Sequence, residues 1–251
     1  MSTRRVAALV VTAMPEEAQP FLEALPLVDK AEPVSLLGAA QAWSLELPAR
    51  EDGAEPRELV LVHSGIGLVA AASALSTTLS QVTPDLVISA GTTGGLGREI
   101  EVGDVCVSQT LAYGDVDATA FGYAVGQTPG QPATFTADAE LVARAGAALE
   151  ALHQATPTSA EARIHVAQML AGGSFVTAAN VKDMRERFPQ AVSTDMESTA
   201  LAQVCHAASI PFASVRGVSD LCGPEAGQDF HIGADEAATR SAAVVLAALN
   251  A

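Results

Sequence analysis

The sequence predicts an α/β fold whose sheet is covered on both faces. Two observations carry this. Short runs rich in β-branched residues, apolar on both faces, recur along the 251 residues. Stretches with helical spacing of apolar residues lie between several of them, and strands alternating with helices imply a largely parallel sheet.

In chain order, strands are expected at Val6–Thr12, Glu58–His63, Leu86–Ala90, Val105–Ser108, Arg163–Leu170, Ala191–Met196 and Phe212–Val218. Arg4 and Arg5 before the first run resemble a signal peptide's charged region, but Pro15, Glu16 and Glu17 follow at once. No good small-residue cleavage site follows either, so a buried first strand is the better reading. Trp43–Leu47 alternates and fits a hairpin strand near an edge. Helices are expected at Glu17–Leu25, Leu68–Leu79, Ala137–Leu152, Val181–Phe188, Ser198–Ala208 and Asp235–Leu249. Thr136 and Asp138 are the capping candidates for the third. Glu51–Pro56 reads as a surface turn, and Gly122–Pro132 has too few apolar residues for a core element. With no repeat, low-complexity tract or long linker, residues 1–251 are expected to form one domain.

Composition excludes several classes. Hydrophobic residues make up 49%, which rules out disorder as the main state. A charge of −16, from 29 acidic and 13 basic residues, repels phosphate backbones and anionic membrane surfaces. Neither nucleic acid nor membrane is therefore an expected partner. No run reaches the roughly 18 apolar residues of a transmembrane helix. Cys106, Cys205 and Cys222 are few, odd in number and without zinc-ligand spacing, so a reducing cytoplasm is expected.

Two glycine-rich segments follow strands. Gly65-Ile66-Gly67-Leu68-Val69-Ala70 fits a dinucleotide fingerprint, with Asp85 20 residues beyond Gly65. A tight strand-to-helix turn explains it equally simply and is preferred. Gly91–Gly97 reads as a loop at a strand's C-terminal end, where ligands sit in α/β sheets. It lacks the lysine of a phosphate-binding loop.

Acidic residues end three apolar runs: Glu16 and Glu17, then Asp195 and Glu197, then Asp220. Taken singly, each reads as a helix cap or first-turn acid. Together they are candidates for acid/base chemistry in one cavity. Arg216 stands four residues before Asp220, so the two share a strand face unless a bulge intervenes.

Six motifs stand in order: Ala13-Met14-Pro15-Glu16-Glu17, Ser64–Gly67, Gly91–Leu96, Thr119-Ala120-Phe121-Gly122-Tyr123, Asp195–Ala200 and Val215–Asp220. Their sequence and spacing resemble the 5′-methylthioadenosine/S-adenosylhomocysteine nucleosidases, a branch of the nucleoside phosphorylase superfamily. The similarity runs from about Val6 to Leu249, and Phe121–Pro129 points to this branch.

The resemblance implies a three-layer α/β/α sandwich with a mixed, partly barrel-like central sheet, a homodimer, and hydrolysis of an adenine N-glycosidic bond. Asp220 would be the general acid at adenine N7. Glu17 would hold and activate water, helped by Arg216 and the Thr92 hydroxyl. Glu197, beside the Met196 backbone, would bind the ribose hydroxyls. Phe175 would stack on adenine and the Val176 backbone would read its edge. Ile66 and Phe230 would flank the ribose and 5′ group, and Met14 joins the substrate-binding set. Phe121, Tyr123 and Pro129 would complete the partner's pocket across the dimer. No metal or organic cofactor is implied.

The chain departs from the family at Thr92-Thr93, where a Ser-Ala pair is common, at Leu68, where a lysine is common, and across Cys222–Gln228. The rivals are a phosphorylase, a futalosine-type nucleosidase, a non-catalytic nucleoside binder and a nicotinamide-dependent oxidoreductase. Glu16 and Glu17 would repel phosphate, and binding alone needs no water-activating carboxylate, so hydrolysis is favoured.

Overall fold

The computed structural model describes residues 3–49, 54–223 and 233–251. Its elements are β1 (Arg4–Val6), β2 (Ala8–Thr12), α1 (Pro15–Ala24), β3 (Val34–Ser35), β4 (Gln41–Leu47), β5 (Arg57–His63), α2 (Leu68–Leu79), β6 (Val82–Pro84), β7 (Val87–Gly95), β8 (Val105–Tyr113) and β9 (Phe135–Thr136). They continue with α3 (Ala139–Gly146), α4 (Leu149–Ala155), β10 (Ile164–Ala171), α5 (Val181–Arg187), β11 (Ala191–Asp195), α6 (Ser198–Ala208), β12 (Phe212–Asp220) and α7 (Ala234–Asn250).

The main sheet runs β11-β10-β8-β12-β7-β2-β5-β4-β3, with β9 on β8. A second pairing of β11, antiparallel to β7, closes β7, β12, β8, β10 and β11 into a five-stranded barrel. The sheet is mixed rather than largely parallel. β12 runs parallel to β7 but antiparallel to β8, and the β3–β4–β5 edge is antiparallel. β1 and β6 form a separate parallel pair.

Alternation along β2 shows why both faces are covered. Ala8 and Val10 pack into a core with Phe21 of α1 and Val244 and Val245 of α7. Leu9 and Val11 pack into another with Leu75 of α2 and Leu201 of α6. Successive side chains point to opposite faces, so a strand apolar at every position must lie between helical layers. This is the three-layer sandwich with a barrel-like sheet that the resemblance implies.

Three expectations are corrected. The Gly91–Gly97 segment is not a loop, because β7 continues through Gly95, paired to β12 on one side and to β11 on the other. β8 likewise runs on past Ser108 to Tyr113, because pairing with β10 resumes at Thr110 after a register shift that skips Gln109. The helix expected over Ala137–Leu152 is two, because the chain leaves helical geometry at Ala148, just after Gly146, a poor helix former. Asp138 caps the first, accepting the Leu141 amide at 2.9 Å, whereas Thr136 lies in β9. No helix among the described residues is long and apolar enough to cross a membrane.

Candidate active site

The C-terminal ends of β2, β7, β11 and β12 bring Glu17, Asp195, Glu197 and Asp220 to one cleft, whereas Glu16 is exposed on α1 and does not line it. The cleft encloses about 630 Å³, solvent mouth included. Glu17, Thr92, Glu197, Met196, Phe175, Val176, Ile66, Met14, Arg216 and Asp220 all line it, as the sequence reading expects. Phe230 lies outside the described residues, as does the Pro224–Gln228 part of the segment after Cys222. Phe121, Tyr123 and Pro129 are not in this cleft. Phe121 is 83% exposed in a short 3₁₀ turn, Thr119–Phe121.

Glu17 enters from the first turn of α1, which Pro15 opens. Its Oε2 accepts the Ala13 and Met14 amides at 2.8 and 3.1 Å. Its Oε1 accepts the Thr92 amide at 2.7 Å and the Thr92 hydroxyl at 3.0 Å. Three of these four donors are backbone and cannot turn away. The carboxylate is thus fixed in place although it is buried.

Arg216 is buried in the middle of β12. It donates to the Thr92 carbonyl at 3.0 Å and the Ser89 hydroxyl at 2.8 Å. Its Nη1 lies 3.1 Å from Glu197 Oε2. Its Nε stands 3.5 Å from Asp195 Oδ2, an ion pair too poorly aligned for a hydrogen bond. Asp195 serves chiefly at the head of α6, where its Oδ1 accepts the Glu197 and Ser198 amides at 2.8 and 2.7 Å.

Glu197 completes its shell with the Gly67 amide, 2.8 Å from Oε1. Gly67 is the N-cap of α2. The fingerprint-like turn therefore presents its helix N-terminus to a side-chain carboxylate of the same chain, which corresponds to the tight-turn reading. Burial pushes the Glu197 carboxyl up to about 7, and Arg216 pulls against that rise while Asp195 and Glu17 add to it.

Asp220 sits at the far side, where β12 ends. The register shifts between Val218 and Asp220, so a bulge does intervene and even spacing from Arg216 does not by itself set its direction. Its Oδ1 accepts the Cys222 amide at 2.8 Å and its Oδ2 the Ser219 hydroxyl at 3.1 Å. Burial raises its pKa above the ordinary aspartate range, with those donors pulling it partly back. Phe175 and Val176 supply the apolar wall, whereas Leu221 packs over Gly95 away from the cleft.

The glycines of β7 allow this close assembly. A Cβ on Gly91 would stand 2.4 Å from Glu17 Cδ, and one on Gly94 would stand 2.4 Å from Cys222 Sγ. Cys222 lines the cleft floor, and burial lifts its thiol to about 12, leaving it protonated. Thr93, noted in sequence beside Thr92, also lines the cleft, as do Ser174 and Ser219, which were not singled out. Only Ser219, next to Asp220, had a usable signal. Among the described residues no group of three or more His, Cys, Asp or Glu is placed to hold a metal.

Buried carboxylates around one arginine, with a raised-pKa acid facing them across an apolar slot, define an acid/base site for a small ligand. The family model described as the phosphorylase superfamily matches residues 7–250. A 5′-methylthioadenosine/S-adenosylhomocysteine nucleosidase of Marinomonas sp. is 42% identical over 177 residues, covering 70% of this chain and 74% of the relative. One from Hydrogenovibrio crunogenus is 38% identical over 195 residues, covering 77% and 81%. Among solved structures, the nucleosidase of that name from Colwellia psychrerythraea, in complex with adenine, has TM-score 0.83 and 32% identity over 99% of this chain and 96% of that one. The Neisseria meningitidis enzyme with methylthio-immucillin-A has TM-score 0.80 and 33% identity over 97% and 98%. The chain belongs to the phosphorylase superfamily, in its 5′-methylthioadenosine/S-adenosylhomocysteine nucleosidase branch.

Proposed function

We propose that this chain hydrolyses the adenine N-glycosidic bond of 5′-methylthioadenosine and S-adenosylhomocysteine, releasing adenine and the 5′-substituted ribose. The observation that carries the reading is the division of the cleft. A partly protonatable acid, Asp220, lies on one side, and a fixed carboxylate, Glu17, lies on the other.

Adenine leaves poorly unless N7 is protonated or hydrogen-bonded, and Asp220 is the group placed to do this from the apolar slot of Phe175 and Val176. As the bond breaks the ribosyl group gains oxocarbenium character. Glu197 faces that charge and holds the ribose hydroxyls beside Met196, an interaction that strengthens in the transition state. Water adds at the Glu17 side and gives its proton to that carboxylate. The Thr92 hydroxyl is the one rotatable donor on Glu17. It turns to bind the water and cedes its place on the carboxylate to a water O–H. Ile66 and Met14 line the ribose and 5′ side.

Hydrolysis is favoured over phosphorolysis by charge. Arg216 is the one cation among the described residues lining the cleft, and Asp195 and Glu197 already face it. A phosphate dianion would meet Glu17 and Glu197 as well.

A homodimer formed from one-domain chains, residues 1–251, is part of the reading. Ile66, Val69 and Phe121 are large apolar residues left exposed on this chain, which supports a covering second copy. Phe121, Tyr123 and Pro129 then complete the partner's 5′ pocket. The three cysteines are buried and unpaired, which supports a cytoplasmic setting.

The test is adenine release from methylthioadenosine by purified protein, without and then with phosphate. Adenine and free methylthioribose in both buffers support the reading. A sugar 1-phosphate, formed only with phosphate, overturns it.

A further inference from the structure

We propose that Ser89, Ser198 and Ser214 form a positioning relay that holds the Arg216 guanidinium against Glu197. Arg216 Nη2 donates to Ser89 Oγ at 2.8 Å. Ser89 Oγ lies 3.1 Å from Ser198 Oγ, which lies 2.8 Å from Ser214 Oγ. All three serines are fully buried, and none lines the cleft.

A guanidinium only donates, so Ser89 accepts from it, which leaves the Ser89 O–H free to donate to Ser198 and the Ser198 O–H free to donate to Ser214. Hydroxyls polarised in series at low dielectric strengthen one another. Small apolar residues would fill these interior positions without the cost of desolvating three hydroxyls. The hydroxyls therefore need a polar partner that justifies them, and Arg216 is the charged side chain that their row meets.

The geometry also shows what the relay aligns. Ser214 stands two residues before Arg216 on β12, on the same face of the strand. Its amide is tied to Ser108 Oγ at 2.8 Å. Ser198 directly follows Glu197, and its own amide is held by Asp195 Oδ1 at 2.7 Å. The relay thus links both ends of the Arg216–Glu197 pair: the strand that carries the arginine and the helix turn that carries the carboxylate.

The charged and polar groups facing Glu197 are Arg216 from β12, Asp195 from β11, Glu17 from α1 and the Gly67 amide heading α2. Loosening Arg216 removes the one positive charge among them. Glu197 then takes up its proton more readily.

The inference rests on the hydrolytic reading for its kinetic arm only. Ser89→Ala and Ser198→Ala are compared with wild type for adenine release from methylthioadenosine on both sides of neutral pH. In parallel, ¹⁵N-arginine spectra report the Arg216 guanidinium. The expected result is a roughly tenfold to hundredfold loss of kcat/KM, as for a misplaced catalytic group. Its acidic limb moves to higher pH, and the slow-rotating Arg216 Nη signals are lost. Folded variants with wild-type limb and wild-type guanidinium signals overturn the relay. Should Ser89→Ala fail to fold, Ser198→Ala, one bond further from Arg216, still decides it. If wild type releases no adenine, the substrate reading falls, and the guanidinium spectra still judge the relay.

Discussion

Glu17 lies directly over Gly91, so closely that a Cβ on the glycine would stand 2.4 Å from the Glu17 carboxyl carbon. Gly91 also has φ +139°, a backbone region that L side chains rarely adopt. The first acidic motif and the glycine-rich motif are thus halves of one contact.

Gly91→Ala is accordingly expected to displace Glu17 and lower kcat/KM by about a hundredfold or more. Steady-state adenine release checks this, with circular dichroism confirming that the variant is folded.

Asp220→Asn is expected to lose catalysis by about 10²–10⁴, the scale of a general acid. An amide still hydrogen-bonds N7 but has no carboxyl proton to give. Calorimetry should find nucleoside binding retained. Near-normal turnover would remove Asp220 from the acid role.

Thr92 separates its hydroxyl from its methyl. Thr92→Ser keeps the donor to Glu17 and should stay within about threefold of wild type. Thr92→Val removes one hydrogen-bonding group at the water site and should cost about tenfold or more. Equal rates in the two variants would mean that the hydroxyl does not serve the water.

Glu197 ties stability to pH. Its folded-state pKa, about 7, lies above the ordinary value of 4.5. The folded chain therefore holds a proton that the unfolded chain releases within that window. The resulting stabilisation is complete below 4.5 and is lost as pH rises through about 7. Urea unfolding at several pH values should show a smaller decline across this window in Glu197→Gln than in wild type.

Phe121→Ala tests the dimer reading. Light scattering should give a dimer for wild type. The variant should weaken binding of 5′-methylthioadenosine more than that of adenine. A monomeric wild type at working concentration would refute the reading.

Much of this was legible in the linear chain. Doubly apolar runs such as Val6–Thr12 specified a sheet between helices, because burying both faces of a strand requires two covering layers. The acids at three strand ends, with Arg216, marked the site. The chain alone could not show that β11 also pairs with β7, because strand pairing at that separation leaves no local periodicity. Pairing with β12 makes strand of Gly91–Gly94, and that closure adds Gly95 and brings Thr194 opposite Gly94. The bulge before Asp220, the Gly67 amide on Glu197 and the buried serines behind Arg216 are likewise tertiary decisions. Each depends on which groups meet once water is excluded, where every unmatched polar group carries a cost.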